Sequence, residues 1–439
     1  MDPRQPYLEA FAWQEPLLAG EPEPLRQARR RALERFAALG FPTARDEAWR
    51  FTSLASLLAA TFVPAIAPDR DAARAAAVIL AVTQATAFGA GLRLVFVDGH
   101  FAPRLSTPLT SRAGLVVAPL GAALEQLPDA VAPSLQRDAD GDRPFAALNA
   151  ALTRDGALVR IPRGYTLDDP INLVFLTTGD HAVHPRTIVT LEEESRATIV
   201  ERWLHLGAGT SFANAVTDVA LGAGAALDHY RLGGDAAFHV GRVDYRVGEG
   251  ARLQALTLAR GGPLQRHEVA VELAAGASAT LAGLSLATAD EQVDHHALVD
   301  HAAPGGRSRA LYKGVLDGHA HAVFDGAVLV RPAAQQTDAV VANHNLLLSD
   351  DARVDSKPQF NIHADDVKCT HAATVGQLRA EEVFYLRSRG LDLESARALL
   401  LEAFAAEVLA DVPLAPLRAA LESLVLEWLP GRAALEAAA

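Results

Sequence analysis

The chain has 439 residues, half of them hydrophobic, and carries 53 acidic against 40 basic side chains for a formal charge of −13. That hydrophobic share supports a large buried core and excludes a disordered chain, and the acidic balance excludes the basic footprint of a nucleic-acid binder. A single cysteine, Cys369, excludes a disulfide framework and any four-thiolate zinc or iron–sulfur site built from this chain alone, and it suits a reducing, cytoplasmic setting.

Met1–Pro6 has no apolar segment of the kind that opens a signal peptide. Leu25, Ala28, Leu33, Phe36 and Leu39 recur near a 3.6-residue period and predict a helix, which Gly40 and Pro42 stop. Between Arg74 and Arg93 lie 18 uncharged residues, near the lower limit for a membrane span. They are mostly Ala and Gly, broken by Thr83, Gln84 and Thr86, so a soluble helix running into a loop is expected and no membrane partner. Leu92–Gly99 alternates and then turns, which predicts a strand. Short helices are expected near Leu120–Leu127 and Phe145–Leu152.

From about residue 155 short strands replace helical periodicity, and a unit of apolar strand, small-residue turn and second strand repeats. Copies start at Val189, Val219, Tyr245 and Val271, 30, 26 and 26 residues apart, with a worn copy at Leu346–Val354. A period of this size marks a solenoid or array, because one unit cannot bury its apolar face without its neighbours. The alternative is a sandwich of similar hairpins. After His371 the sequence is helical again over Glu381–Arg389, Leu393–Leu409 with Asp392 as N-cap, and Leu414–Leu429. These helices are expected to form a small bundle capping the open end of the solenoid. The chain therefore divides into a mostly helical region over 1–153, a β core over 154–366 and a helical domain over 367–439.

Several chemistries are missing. No lysine sits in a phosphate loop, no G-x-G-x-x-G or G-x-S-x-G is present, and His267-Glu268 lacks the second histidine of a zinc-protease motif. Cys369-Thr370-His371 is the most suggestive triplet. On a strand, residues two apart share a face with side chains about 6.5–7 Å apart, so a thiolate and an imidazole there could reach one metal. Two donors are too few to close a site, so the remainder would come from another chain. The plainer reading is a buried Cys and a hydrogen-bonded His at a domain junction. His319 and His321, with Asp317 or Asp325 nearby, read as exposed strand histidines. His295 and His301 share a face but lie about 20 Å apart on a straight strand. Asp294, Asp300, Asp317, Asp325, Arg307 and Arg309 could line a polysaccharide groove on a β-helix, but they keep no common register and read better as solvated turns.

Three blocks carry a resemblance: Ser349–Phe360, Ala364–Leu378 and Phe384–Gly390. With Tyr312–Gly318, Val323–Gly326, Ala334–Thr337, Gly40–Thr43 and Asp46–Trp49, they closely resemble the SufB/SufD family of iron–sulfur cluster assembly scaffolds. The Asp366-Val367-Lys368-Cys369-Thr370-His371 pattern points to the SufD branch. The resemblance implies a mainly β protein, a right-handed parallel β-helix flanked by N-terminal and C-terminal helical regions. It implies a non-catalytic scaffold subunit that pairs with a SufB subunit through the β-helix and holds the ATPase SufC on its C-terminal helices. A nascent cluster would be shared transiently with SufB, with His371 as ligand or interface group and Cys369 beside it, and reduced FAD is implied for the complex rather than for this chain. In isolation the sheet edge near residues 340–371 could pair with itself as a homodimer. One departure is Ala372, where the family usually has Gly; a positive φ there would strain it. The competing functions are a polysaccharide-acting β-helix enzyme and a structural homo-oligomer.

Overall fold

The computed structural model describes residues 2–65, 76–86, 91–107, 114–207, 209–233 and 237–429. Two parallel sheets face one another along the centre of the chain and coil into a β-solenoid of about seven turns. One sheet stacks the strands Arg186–Leu191, Phe212–Leu221, Phe238–Val247, Leu264–Leu273, Gln292–His301, His321–Val330 and Arg353–Ile362. The other stacks Ile171–Thr177, Arg196–His205, Ala226–Gly233, Arg252–Arg260, Ser278–Ala287, Arg307–Leu316, Thr337–Leu347 and Val367–Gly376. Parallel pairing follows from the coil, because each strand returns one turn later to lie beside its predecessor.

The sequence repeat is the stacking register itself. Val189 pairs with Val219, Val219 with Tyr245 and Tyr245 with Val271. The series continues through Val299, Val328 and Phe360, at spacings of 28, 29 and 32 residues. The worn copy expected at Leu346–Val354 is therefore misplaced: it spans the opposite corner of the coil, from the end of Thr337–Leu347 to the start of Arg353–Ile362. Widening turns hid the true copies from a search at constant period.

The N-terminal region is helical as expected, including Glu23–Leu39, Leu120–Gln126 and Pro144–Leu152. It also supplies two strands to the sheets: Arg93–Val97 pairs in parallel with Ile171–Thr177, and Val116–Pro119 pairs antiparallel with Gly156–Ile161. Leu25, Phe36, Trp49, Phe145 and Leu148 pack against Phe212, Phe238, Val240 and Leu264 on the outer face of the first sheet. Ala76–Ala85 is a helix, and no helix among the described residues is long and apolar enough to cross a membrane; residue 75 and residues 87–90 of the uncharged stretch lie outside the described residues.

The C-terminal helices start at Ala380, and the solenoid continues through Val367–Gly376, past the expected limit at residue 366. The Asp392 carboxylate accepts from the Ser395 backbone N–H at 2.8 Å, as its N-cap role requires. The helices do not cap the open end. Leu401, Ala405, Val408, Leu417, Leu421 and Val425 lie on the outer face of the second sheet, against Tyr230, Leu232, Leu256, Leu258, Leu284 and Val315. Those outward residues make an apolar flank that water would otherwise cover, and burying it outweighs covering a polar strand edge. Buried Lys313 adds a polar anchor: its Nζ donates to the Phe404 carbonyl at 3.0 Å and pairs with Glu407. The terminal turn is left bare.

Candidate functional site

The terminal turn consists of Arg353–Ile362 and Val367–Gly376, the last strands of their sheets, and neither pairs on its far side among the described residues. Unpaired N–H and C=O groups along such an edge are a template for another chain. Alternation in Val367–Gly376 sets which side chains enter the lumen. Cys369 pairs with core residue Ala339 and His371 with core residue Val341, so both point inward at the mouth of the coil. Cys369 is partly buried against the central core. His371 is exposed and its ring stacks on Phe360 from the opposite sheet, centroids 5.1 Å apart and 24° between planes.

Burial pushes the Cys369 thiol above its usual range and the neighbouring Asp338 carboxylate pushes the same way, against a backbone hydrogen bond from Ala339. A metal arriving here must displace that proton before thiolate ligation. No group of three His, Cys, Asp or Glu side chains able to hold a metal occurs among the described residues. The two inferred donors therefore share one face, with nothing from this chain to complete the set. Ala372 lies in extended strand opposite Ala342 and is not among the residues with positive φ, so its methyl is unstrained.

The other sequence candidates disperse. His319 lies in a turn between Asp290 at 3.4 Å and Asp351 at 3.6 Å, while His321 pairs with Asp355 at 2.7 Å. Neither meets Asp317 or Asp325. His321 is also largely buried against its Asp355 partner, which corrects the expectation of an exposed strand histidine. His295 points into the lumen and His296 outward to Asp294, and His301 bonds the Ser308 hydroxyl at 2.9 Å. Asp294 is fully buried: burial opposes its ionisation, but Arg266 and His296 hold it well below the usual carboxylate range. Asp300 is bound by Arg331 at 2.6 Å. The carboxylates considered for a polysaccharide groove thus include several already committed to ion pairs.

Sequence reading missed the polar half of the lumen. His239, His267, His295 and Tyr312 stack in succession with centroids 5.0, 5.3 and 5.2 Å apart, and Glu201, His229 and Tyr245 form a buried chain beside them. The imidazoles sit in adjacent inward columns, so no constant period marks them in the sequence. Burial lowers His239 and His295 to about 3 and His267 well below its usual value, and His184 beneath the N-terminal helices is also lowered to about 3. These four are neutral when folded and charge near 6.5 when unfolded. Their contribution is complete above that value and falls as pH drops toward 3. The urea-unfolding free energy should fall between pH 6.5 and 5 with a slope of about four protons, each worth about 1.4 kcal/mol per pH unit. A flat profile across that window would contradict their burial as neutral rings.

A parallel β-solenoid with helices on both flanks and a bare, two-donor terminal turn defines a class of protein that completes itself by association. The chain matches the family model for the SufBD protein N-terminal region over residues 1–173, and over residues 174–404 it matches the SufBD core domain of the SUF system for FeS cluster assembly. It is 34% identical over 432 residues to an iron–sulfur cluster assembly SufBD family protein of Synechocystis sp., covering 95% of this chain and 94% of that one. It is 32% identical over 389 residues to the iron–sulfur cluster assembly protein SufD of Escherichia coli, covering 86% of each. It is 29% identical over 405 residues to a chloroplastic protein, ABCI7, of Arabidopsis thaliana, covering 89% of this chain and 83% of that one. The chain belongs to the SufB/SufD family of iron–sulfur cluster assembly proteins.

Proposed function

We propose that this chain is a non-catalytic scaffold subunit of a cytoplasmic assembly that builds an iron–sulfur cluster, pairing through its terminal turn with a SufB-type subunit and holding a SufC-type ATPase on its C-terminal helices. The observation that carries this reading is the bare end of the solenoid, where Cys369 and His371 lie together beside two unpaired strands. A partner strand laid along those edges would satisfy the free backbone groups. It would also bring further donors to the mouth, where iron and sulfide, the cargo of the assembly, are held transiently. His371 presents a neutral imidazole directly, and Cys369 releases its proton as iron binds. ATP-driven closure of two SufC-type subunits would pull on the helical domains and open the mouth for cargo.

The ATPase surface follows from the helix Ala380–Ser388, which buries none of its residues and exposes 74% of Phe384 and 56% of Tyr385. Exposed aromatics on a short helix beside the scaffold end are a fitting anchor pair. Reduced FAD finds no cradle here. The largest groove, about 570 Å³ beside Trp49, is lined by Arg242 and Arg266, and both are already paired with Asp244, Glu268 and Asp294. Neither is free for a pyrophosphate, and no step is assigned to flavin in this chain.

Co-expression with SufB-type and SufC-type chains followed by size-exclusion chromatography tests the pairing. A stable three-component complex is expected, and Thr370→Pro, which removes an N–H from the terminal strand, should release the SufB-type partner and leave the ATPase bound. Failure of any of the chains to copurify would remove the partner assignment.

A further inference from the structure

Unmet hydrogen-bond donors also collect at a cleft beside the first turns of the solenoid. The cleft encloses about 280 Å³ between the helix Gln5–Gln14, the helix Ala55–Ala59 and residues 182–184. Pro6, Ala10, Leu57, Phe62, Leu152 and Val183 make its apolar walls. Gln14, 4% exposed, lines it with an amide Nε2 that has no hydrogen-bond partner. Arg154 lines it too, and its Nη1 is likewise buried without a partner.

The carboxylates near Arg154 are committed elsewhere. Glu21 gives one oxygen to Arg29 Nε at 2.7 Å and the other to Arg29 Nη2 at 2.8 Å. Asp155 accepts from the backbone N–H groups of Phe101, Gly121 and Gly156, each at 2.9 Å. Asp2, at the rim, is held by Arg4 at 2.7 Å. A guanidinium without an ion pair at an apolar wall is costly, as is a buried amide without an acceptor. Both unmet groups are donors, so the cleft lacks an acceptor and negative charge rather than another cation. A carboxylate meets both needs, because a guanidinium receives it through two parallel N–H groups. The apolar walls suit a hydrocarbon or aryl body, as in most small-molecule sites.

We propose that this cleft binds a small monocarboxylate with an apolar body, the carboxylate at Arg154 and Gln14 and the body against Ala10, Leu57 and Phe62. The site is remote in sequence from Cys369 and His371 and does not depend on the cluster-assembly reading. Titration calorimetry of the full chain with octanoate, and with octanol as the uncharged control, tests it. Octanoate should bind saturably with one site per chain, and octanol at least tenfold more weakly. Arg154→Met should weaken octanoate at least tenfold, and Ala10→Phe, which fills the cleft, should abolish binding without lowering the unfolding midpoint. Absence of saturable binding, parity between octanoate and octanol, or indifference to both substitutions overturns the site.

Discussion

His371→Ala is expected to lower cluster yield on the assembled complex at least tenfold while leaving the complex itself intact. The side chain stacks on Phe360 at the exposed mouth of the solenoid and makes no hydrogen bond among the described residues. Its loss should therefore cost the fold no more than a typical surface substitution, about 0.5 kcal/mol. Its contribution to cargo is larger, because only Cys369 shares its face as a thiolate or imidazole donor. Anaerobic reconstitution with iron and sulfide, read by visible absorption, separates the two effects. Cysteine at position 369 should matter less at neutral pH than histidine at 371, since its thiol starts protonated. Unchanged yield in His371→Ala would remove the ligand role.

Arg186→Met should produce the largest loss of stability, about 3–5 kcal/mol, the cost of stranding a buried charge. Arg186 is fully buried and ties the solenoid to two N-terminal helices. Its Nη2 donates to Asp138 at 2.6 Å, its Nε to Asn149 at 2.9 Å, and its Nη1 contacts Ser134 and Asp218. Burial alone would raise the Asp138 pKa; Arg186 and Arg137 hold it below its usual value. Removing Arg186 leaves two buried carboxylates with Arg137, which is partly solvated. Adding Asp138→Asn and Asp218→Asn should recover more than half of the loss, because the stranded charges go with the cation. Urea unfolding with hydrogen exchange over residues 128–152 reads both effects. A loss below 1 kcal/mol in Arg186→Met would contradict its role as the central tie.

Most of the architecture was legible because the repeat is a physical register. Val189, Val219, Tyr245 and Val271 stand in one column of the core, so a sequence period translates directly into stacked turns. Helix ends were legible where a residue type dictates them, as with Asp392 at an N-cap and Gly390 at φ 101° after Ala380–Ser388. The position of the C-terminal helices was not. Their apolar faces said that they must be buried, but the matching flank of Tyr230, Leu256 and Leu284 emerges only when three turns are stacked. The ion pairs that hold the N-terminal region down were equally hidden. Asp294 and Arg266 are 28 residues apart and meet Thr52 across 242 residues. At the candidate site, the shared face of Cys369 and His371 followed from strand alternation, whereas the bareness of that end depended on where the helices went.

Iron and acid-labile sulfide content of the chain purified anaerobically by itself, set beside the same chain purified with its SufB-type and SufC-type partners, tests the central claim most directly. The lone chain should carry neither a stoichiometric cluster nor ATPase activity, and the complex should gain both a cluster that depends on His371 and nucleotide hydrolysis. A stable, fully coordinated cluster on the isolated chain would show that this protein holds the missing donors itself.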